Sequence, residues 1–80
     1  MKTQYRLLIN GVQSAVMDHY PADQWQQAAA MVEARGGKCT LERRLITDDS
    51  ILPLLANPVG YICVGNMVIC PWEIIAEVEA

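Results

Sequence analysis

Two hairpins stand out in the alternation of apolar and polar positions along the chain. Asn10-Gly11 separates two apolar segments and is typical of a type I′ turn, because both residues tolerate a positive φ. The register that follows pairs Ile9 with Val12, Leu7 with Ser14 and Tyr5 with Val16. We therefore expect one face of this hairpin to be core and the other to be mostly exposed. The expected core face carries Tyr5, Leu7, Ile9, Val12 and Val16.

The second hairpin is predicted around Gly65-Asn66, and Pro71 should end its second strand. Its register pairs Val64 with Met67, Cys63 with Val68, Ile62 with Ile69 and Tyr61 with Cys70. Both faces of this hairpin are apolar, unlike those of the first. One long helix can cover only one of them. The other must be covered by the segment 51–56, by the tail 72–78 or by another chain.

A single long helix is predicted over about residues 21–35. Pro21 suits a first helical turn, and Gly36-Gly37 can adopt the left-handed conformation that ends a helix. Its apolar stripe, at positions i, i+3, i+4 and i+7, consists of Trp25, Ala28, Ala29 and Val32. Small alanines should let the helix lie close to the sheet, with Trp25 as its bulky anchor.

The remaining elements are a strand over 38–47 and a short helical segment over 51–56. Asp48-Asp49-Ser50 should cap that segment, and Asn57-Pro58 should stop it. Residues 72–78 fit two patterns. Pro71 followed by Glu73 favours a short helix, whereas Ile74, Ala76 and Val78 alternate as a strand would; helix is the preferred interpretation.

These elements predict an α+β fold in the order β-β-α-β-(α)-β-β-(α). The sheet should be mainly antiparallel, with one long helix packed on one face in two layers. Residues 1–80 form one small domain, because so short a chain cannot build two independent cores.

Composition places the chain among folded, cytoplasmic proteins. A hydrophobic content of 52% and a mean hydropathy of +0.16 supply a core without a metal or a disulfide. No apolar run approaches the roughly 20 residues of a membrane span, and no targeting signal is visible. Three cysteines, at positions 39, 63 and 70, do not form a secreted disulfide framework.

The net charge of −3 is divided unevenly along the chain. Residues 1–44 carry six basic and four acidic side chains, a sum of +2, whereas residues 45–80 carry five acidic side chains and no basic one. The acidic C-terminal half is a plausible surface for a basic protein partner. Scattered acids that only keep an apolar half soluble are the simpler explanation.

Candidate chemistry is sparse, and the sequence predicts neither an enzyme nor a cofactor. The only soft metal ligands are His19, Cys39, Cys63 and Cys70, which lack the close pairwise spacing of zinc sites. Nothing places a cation or a helix N-terminus beside a thiol to activate it. The adjacent Asp48 and Asp49 are better explained as helix caps than as an acid–base pair.

Nucleic-acid binding is the alternative to a protein-binding role. Four of the six basic residues lie within ten positions: Arg35, Lys38, Arg43 and Arg44. Such a patch could hold a few phosphates. The acidic net charge and the absence of a stacking motif disfavour this function. Arg43 and Arg44 also alternate faces, so they could share a patch only on an edge strand, where charges commonly protect the edge from pairing.

By elimination, we expect a non-catalytic module that binds another protein or a second copy of itself. Size and charge resemble those of adaptors and of small phage or prophage inhibitors, anti-CRISPR inhibitors included, although no motif supports that analogy. The predicted contact surface combines an apolar centre with a charged rim. Its residues are Tyr61, Val68, Trp72, Glu73 and Glu77.

Overall fold

Among the residues that the structure describes, six antiparallel strands form one sheet and one α-helix packs against it. The computed structural model describes residues 1–55 and 59–80. The strands are β1 (Lys2–Ile9), β2 (Val12–Gln13), β3 (Lys38–Asp48), β4 (Ile62–Val64), β5 (Met67–Ile69) and β6 (Glu73–Glu79), and the helix is α1 (Ala22–Arg35). The α+β class and the antiparallel sheet are as predicted. No helix among the described residues is long and apolar enough to cross a membrane.

The sheet is organised around β3, its longest strand. One edge of β3 pairs with β1 over eight positions, from Ile9 opposite Cys39 to Lys2 opposite Ile46. The other edge pairs with β6 through its first half and with β5 through its last three residues. Strands β5 and β6 therefore follow one another along the same edge of β3.

The preferred helical interpretation of residues 72–78 is wrong, because Glu73–Glu79 is strand β6. The proline and glutamate that favoured a helix are local signals. The edge of β3 offers this segment a ladder of six paired positions, a tertiary stabilisation that a short isolated helix would lack. The segment is thus a strand, but the register shifts between Leu41 and Glu42 of β3, so that Ala76 and Val78 lie opposite Leu41 and Cys39 whereas Ile74 lies opposite Glu42.

The turn of the first hairpin is confirmed, but its register holds only near the turn. Asn10 and Gly11 both have positive φ, at 51° and 83°, and Ile9 lies opposite Val12. Tyr5, however, pairs with Met17 and not with Val16. The ladder is interrupted at Ser14, whose hydroxyl accepts the Leu7 N–H, so the returning arm contains one extra residue. Val16 is thereby displaced from its expected position, and both Val16 and Val12, which keeps its place opposite Ile9, are exposed rather than part of the core.

The predicted helix is confirmed, and three of the four residues of its apolar stripe, Trp25, Ala28 and Val32, pack in the core. Ala28 and Val32 are buried against Cys39 of β3, and three half-buried side chains pack around them: Ile9, Trp25 and Val78. The helix ends at Gly36, which has φ of 81° and donates its N–H to the Val32 carbonyl at 2.7 Å. This cluster joins α1 to the beginning of β3 and the end of β6.

The molecule is elongated, and the helix covers only one end of the sheet. The radius of gyration is 14.7 Å, against about 12 Å for a compact chain of this length. The principal extents are 45 × 22 × 16 Å. Helix α1 contacts β3 and β6, whereas hairpin β4–β5 lies on the far side of β3 from β1. Much apolar surface is therefore left outside the core cluster.

At the other end, β3 leads into a 3-10 helix, Asp49–Leu54, and then into the second hairpin. The predicted cap is present: the Asp48 carboxylate accepts hydrogen bonds from the Ser50 hydroxyl and backbone N–H, which lower the pKa of Asp48. The predicted stop at Asn57-Pro58, and Ala56, lie outside the described residues. The second hairpin has the predicted register from Ile62–Ile69 to Val64–Met67, around a Gly65 of positive φ.

Candidate functional site

The junction between β5 and β6 interrupts the edge of the sheet. Between Ile69 and Glu73 the chain advances four residues, while the facing β3 advances three, from Ile46 to Arg43. Cys70 still donates its N–H to the Leu45 carbonyl at 2.9 Å, so the extra length falls on Pro71 and Trp72. The bulge borders a cleft of about 580 Å³. This junction cleft is lined by Tyr5, Arg43, Arg44, Tyr61, Trp72 and Glu73, among others.

Two arginines lie against the Trp72 indole. The guanidinium carbon of Arg6 is 4.3 Å from the ring centroid, and that of Arg44 is 4.5 Å from it. Arg6 faces Glu42 and Arg44 faces Gln4 across β1 and β3, so all four side chains share one face of the sheet. A guanidinium over an indole is stabilised by the ring quadrupole. Sequence reasoning missed Arg6 and Gln4, because no local pattern brings residues 4–6, 42–44 and 72 together.

Arg6 is fully engaged within the protein. Its Nε donates to the Glu42 carboxylate at 2.8 Å, and its Nη2 lies 2.6 Å from the same oxygen. Its Nη1 donates to the Gln13 amide oxygen at 2.8 Å. Glu42 is buried, and a buried carboxylate requires such a partner. The positive charge of Arg6 is therefore neutralised by Glu42.

Arg44 is held in place without being neutralised. Its Nε donates to the Gln4 amide oxygen at 2.8 Å, and its guanidinium lies over Trp72. It is half-buried at the junction cleft. Among the described residues no carboxylate lies within ion-pair distance of Arg44, and its terminal N–H groups have no acceptor. An oriented cation with open donors is thus exposed to the cleft.

The acids of β6 pair with the basic residues of β3. Arg43 Nη2 lies 3.4 Å from Glu73, and Lys38 Nζ lies 3.5 Å from Glu77 and 3.8 Å from Glu79. These pairs are exposed, so each contributes at most about 1 kcal/mol. They explain the uneven charge along the chain, because a basic β3 and an acidic β6 are neighbours in the sheet. Three of the five acids in residues 45–80 therefore already have a basic neighbour within the sheet.

The structure brings together three of the five residues predicted to bind a partner. Tyr61, Trp72 and Glu73 line the junction cleft. Glu77 lies farther along β6, beside Lys38. Val68 is fully buried, so its place on an accessible contact surface was a wrong expectation. The exposed apolar face of the hairpin is the opposite one, and the tail extends the sheet as β6 instead of lying over the hairpin.

The basic residues 35–44 do not form one patch. Arg35 ends the helix, Lys38 and Arg43 pair with glutamates, and Arg44 lies over Trp72 without an ion pair to any described residue. Arg43 and Arg44 lie on opposite faces of β3, which is a central strand with partners on both edges. The alternative that β3 is an edge strand, on which both arginines could share a patch or protect the free edge, is therefore wrong. The geometry does not favour a phosphate-binding surface.

The three cysteines are free thiols in different environments. Burial raises the pKa of the Cys39 thiol, which is packed in the core cluster, whereas Cys63 is exposed and Cys70 half-buried. Across residues 1–55 and 59–80, no group of three or more His, Cys, Asp or Glu side chains could hold a metal ion.

We expect iodoacetamide to modify Cys63 first and Cys39 last when native protein is treated near pH 8. The thiolate is the reactive form, and both burial and the raised pKa keep Cys39 protonated. Mass spectrometry of tryptic peptides over time would measure the order. Rapid labelling of Cys39 in folded protein would contradict its placement in the core, and denatured protein, in which all three cysteines should react alike, is the control.

No protein-family model, curated protein or solved structure matches the chain.

Proposed function

We propose that this chain is a non-catalytic protein-binding module, an adaptor or inhibitor that docks on a larger protein through hairpin β4–β5. The supporting observation is an apolar surface on one face of this hairpin, here called the hairpin patch. It consists of Ile62, Val64 and Met67, whose exposed fractions are 55%, 53% and 44%. Val64 and Met67 face each other across the hairpin, and Ile62 lies on the same face two residues before Val64.

The hairpin patch has the composition of an interface centre. Its neighbours on the same face are Ile69, opposite Ile62, and Ile46, opposite Ile69. Charged residues lie at its border, since Lys2 pairs with Ile46 and Asp48 with Met67. An apolar centre with a polar rim is typical of protein interfaces. Full burial of one such side chain contributes about 1.5–3 kcal/mol, so three could support specific docking.

A non-catalytic role agrees with the chemistry that the structure offers. The most sequestered thiol, Cys39, has a raised pKa and is packed against the helix. His19 lies 3.6 Å from Asp18, but both are exposed on the loop before α1. Neither arrangement orients a nucleophile and a base towards a common cavity. The exposed apolar surface remains the feature that a binding function explains best.

The double variant Ile62→Ser/Val64→Ser should bind the partner at least about tenfold more weakly, because two apolar contacts are removed. The test is affinity capture with the tagged parent, identification of the captured protein, and titration of that protein against the purified variants. Val12→Ser is the matched control, since Val12 is a 71% exposed strand valine at the opposite end of the sheet.

Equal affinity of the double variant and the parent would contradict the proposal. Circular dichroism must first show that both variants are folded. Light scattering over a range of concentrations distinguishes the alternative occupant of the hairpin patch. Self-association that is lost in the double variant and kept in Val12→Ser would assign this surface to a second copy of the chain.

A further inference from the structure

We infer that the junction cleft is a receptor for a carboxylate, supplied by an acidic segment of a protein, with Arg44 as its anchor. This inference rests on the proposed function only in taking the ligand to be part of a protein. The site itself is separate from the hairpin patch, so each can be tested alone.

The Arg44 guanidinium is held in an orientation that suits a planar anion. Gln4 holds its Nε, and Trp72 lies against the guanidinium, so much of the side-chain freedom that binding would remove is already restricted. The N–H donors of a guanidinium lie in the guanidinium plane, so a guanidinium that stacks on an indole can still donate hydrogen bonds at its edge. The two terminal nitrogens of Arg44, which have no acceptor among the described residues, match the two oxygens of one carboxylate.

The neighbouring charges favour a monoanion. Arg6, the other arginine on Trp72, is neutralised by Glu42, and Arg43 is already 3.4 Å from Glu73. One open guanidinium therefore remains in the cleft. Glu73 also lines the cleft and would repel a dianion more strongly than a monoanion. Phosphate recognition commonly uses clusters of arginines, which the cleft does not provide.

The remaining lining suits a peptide that carries an aromatic or aliphatic side chain beside its acid. Trp72, which lies against Arg44, and Tyr61 supply aromatic surface at the cleft. Tyr5, in contrast, is opposite Arg43 and lines the cleft from the other face of β3. A volume of about 580 Å³ lies within the range of pockets that enclose small ligands. We therefore assign the ligand as a Glu or Asp flanked by apolar residues.

The probe is an acetylated and amidated Phe-Glu-Phe tripeptide, titrated into ¹⁵N-labelled protein. Saturable shifts of the Trp72 indole N–H and the Arg44 Nε–H are expected. Phe-Gln-Phe should bind at least about tenfold more weakly, because it lacks the charge-assisted hydrogen bonds. Arg44→Gln should cause a similar loss, and Arg44→Lys a smaller one, since lysine keeps the charge without the fork.

Arg35→Gln is the matched control, because it removes the same charge from the exposed end of α1. It should leave binding of Phe-Glu-Phe unchanged. Absence of saturable shifts, or equal affinity for Phe-Glu-Phe and Phe-Gln-Phe, would overturn the inference. Tighter binding of Phe-phosphoserine-Phe would overturn it in favour of a phosphate ligand. If Arg44→Gln does not fold, Arg44→Lys and the peptide comparison still decide the question. Ile62→Ser/Val64→Ser should retain tripeptide binding, so a failed hairpin patch and a failed cleft give different results.

Discussion

Leu41→Ala is expected to lower the free energy of unfolding by about 3 kcal/mol, within the usual range for buried leucines. Leu41 has no exposed surface and lies in the middle of β3, opposite Leu7 on β1 and Ala76 on β6. Removal of its side chain leaves a cavity between three strands whose backbones are fixed by their ladders, so the site cannot collapse. Urea denaturation followed by circular dichroism would measure the change.

Leu54→Ala is the matched control for this prediction. Leu54 is 83% exposed at the end of the 3-10 helix, so the same substitution should change stability by less than about 0.5 kcal/mol. Similar losses at both positions would mean that β3 is not the centre of the core. A small loss at Leu41 alone would mean that the strand order around β3 is different.

Gly37→Ala should destabilise the protein by about 2–3 kcal/mol, the sum of backbone strain and a weakened hydrogen bond. Gly37 has φ of 112°, and an added Cβ would collide with the Asn10 side-chain amide. That amide accepts the Lys38 N–H at 2.9 Å, and Gly37 itself exchanges two backbone hydrogen bonds with Ala80. The substitution therefore disturbs the turn of β1–β2 and the attachment of β6 together.

Gly11→Ala measures the effect of backbone strain without a steric collision. Gly11 also has a positive φ, of 83°, but an added Cβ would meet no atom within 4 Å. Its substitution should cost about 1 kcal/mol, from the conformational preference alone. Equal losses for the two alanine variants, measured by thermal or urea denaturation, would mean that Asn10 moves aside without cost and that its bond to Lys38 contributes little.

The sequence by itself determined the elements whose signals are local. Asn10-Gly11 and Gly65-Asn66 predicted both turns, because few residues tolerate the backbone angles found there. The stripe of Trp25, Ala28, Ala29 and Val32 predicted the helix and the face it buries, since helical period is encoded within four turns of chain.

The secondary structure of residues 73–79 was decided by the tertiary structure. Their local signals were divided between helix and strand, and the free edge of β3, about 35 residues earlier in the chain, resolved them in favour of β6. The burial of Val68 and exposure of Ile62 depend in the same way on which face other elements reach. When both faces of a hairpin are apolar, its sequence does not indicate which face will be buried.

The distribution of charged residues was likewise determined partly by the sequence and partly by the tertiary structure. The sequence alone determined that all basic residues lie in the first 44 positions, but only strand pairing placed β3 beside β6, where Lys38 and Arg43 pair with the three glutamates of β6. It also left Arg44 over Trp72 without a counter-ion among the described residues, beside a cleft formed by one extra residue between β5 and β6. Residues 4, 44 and 72 are far apart in the chain, and their proximity depends on two strand registers and a bulge. No local pattern encodes such a contact, which is why the candidate site had to be found in the structure.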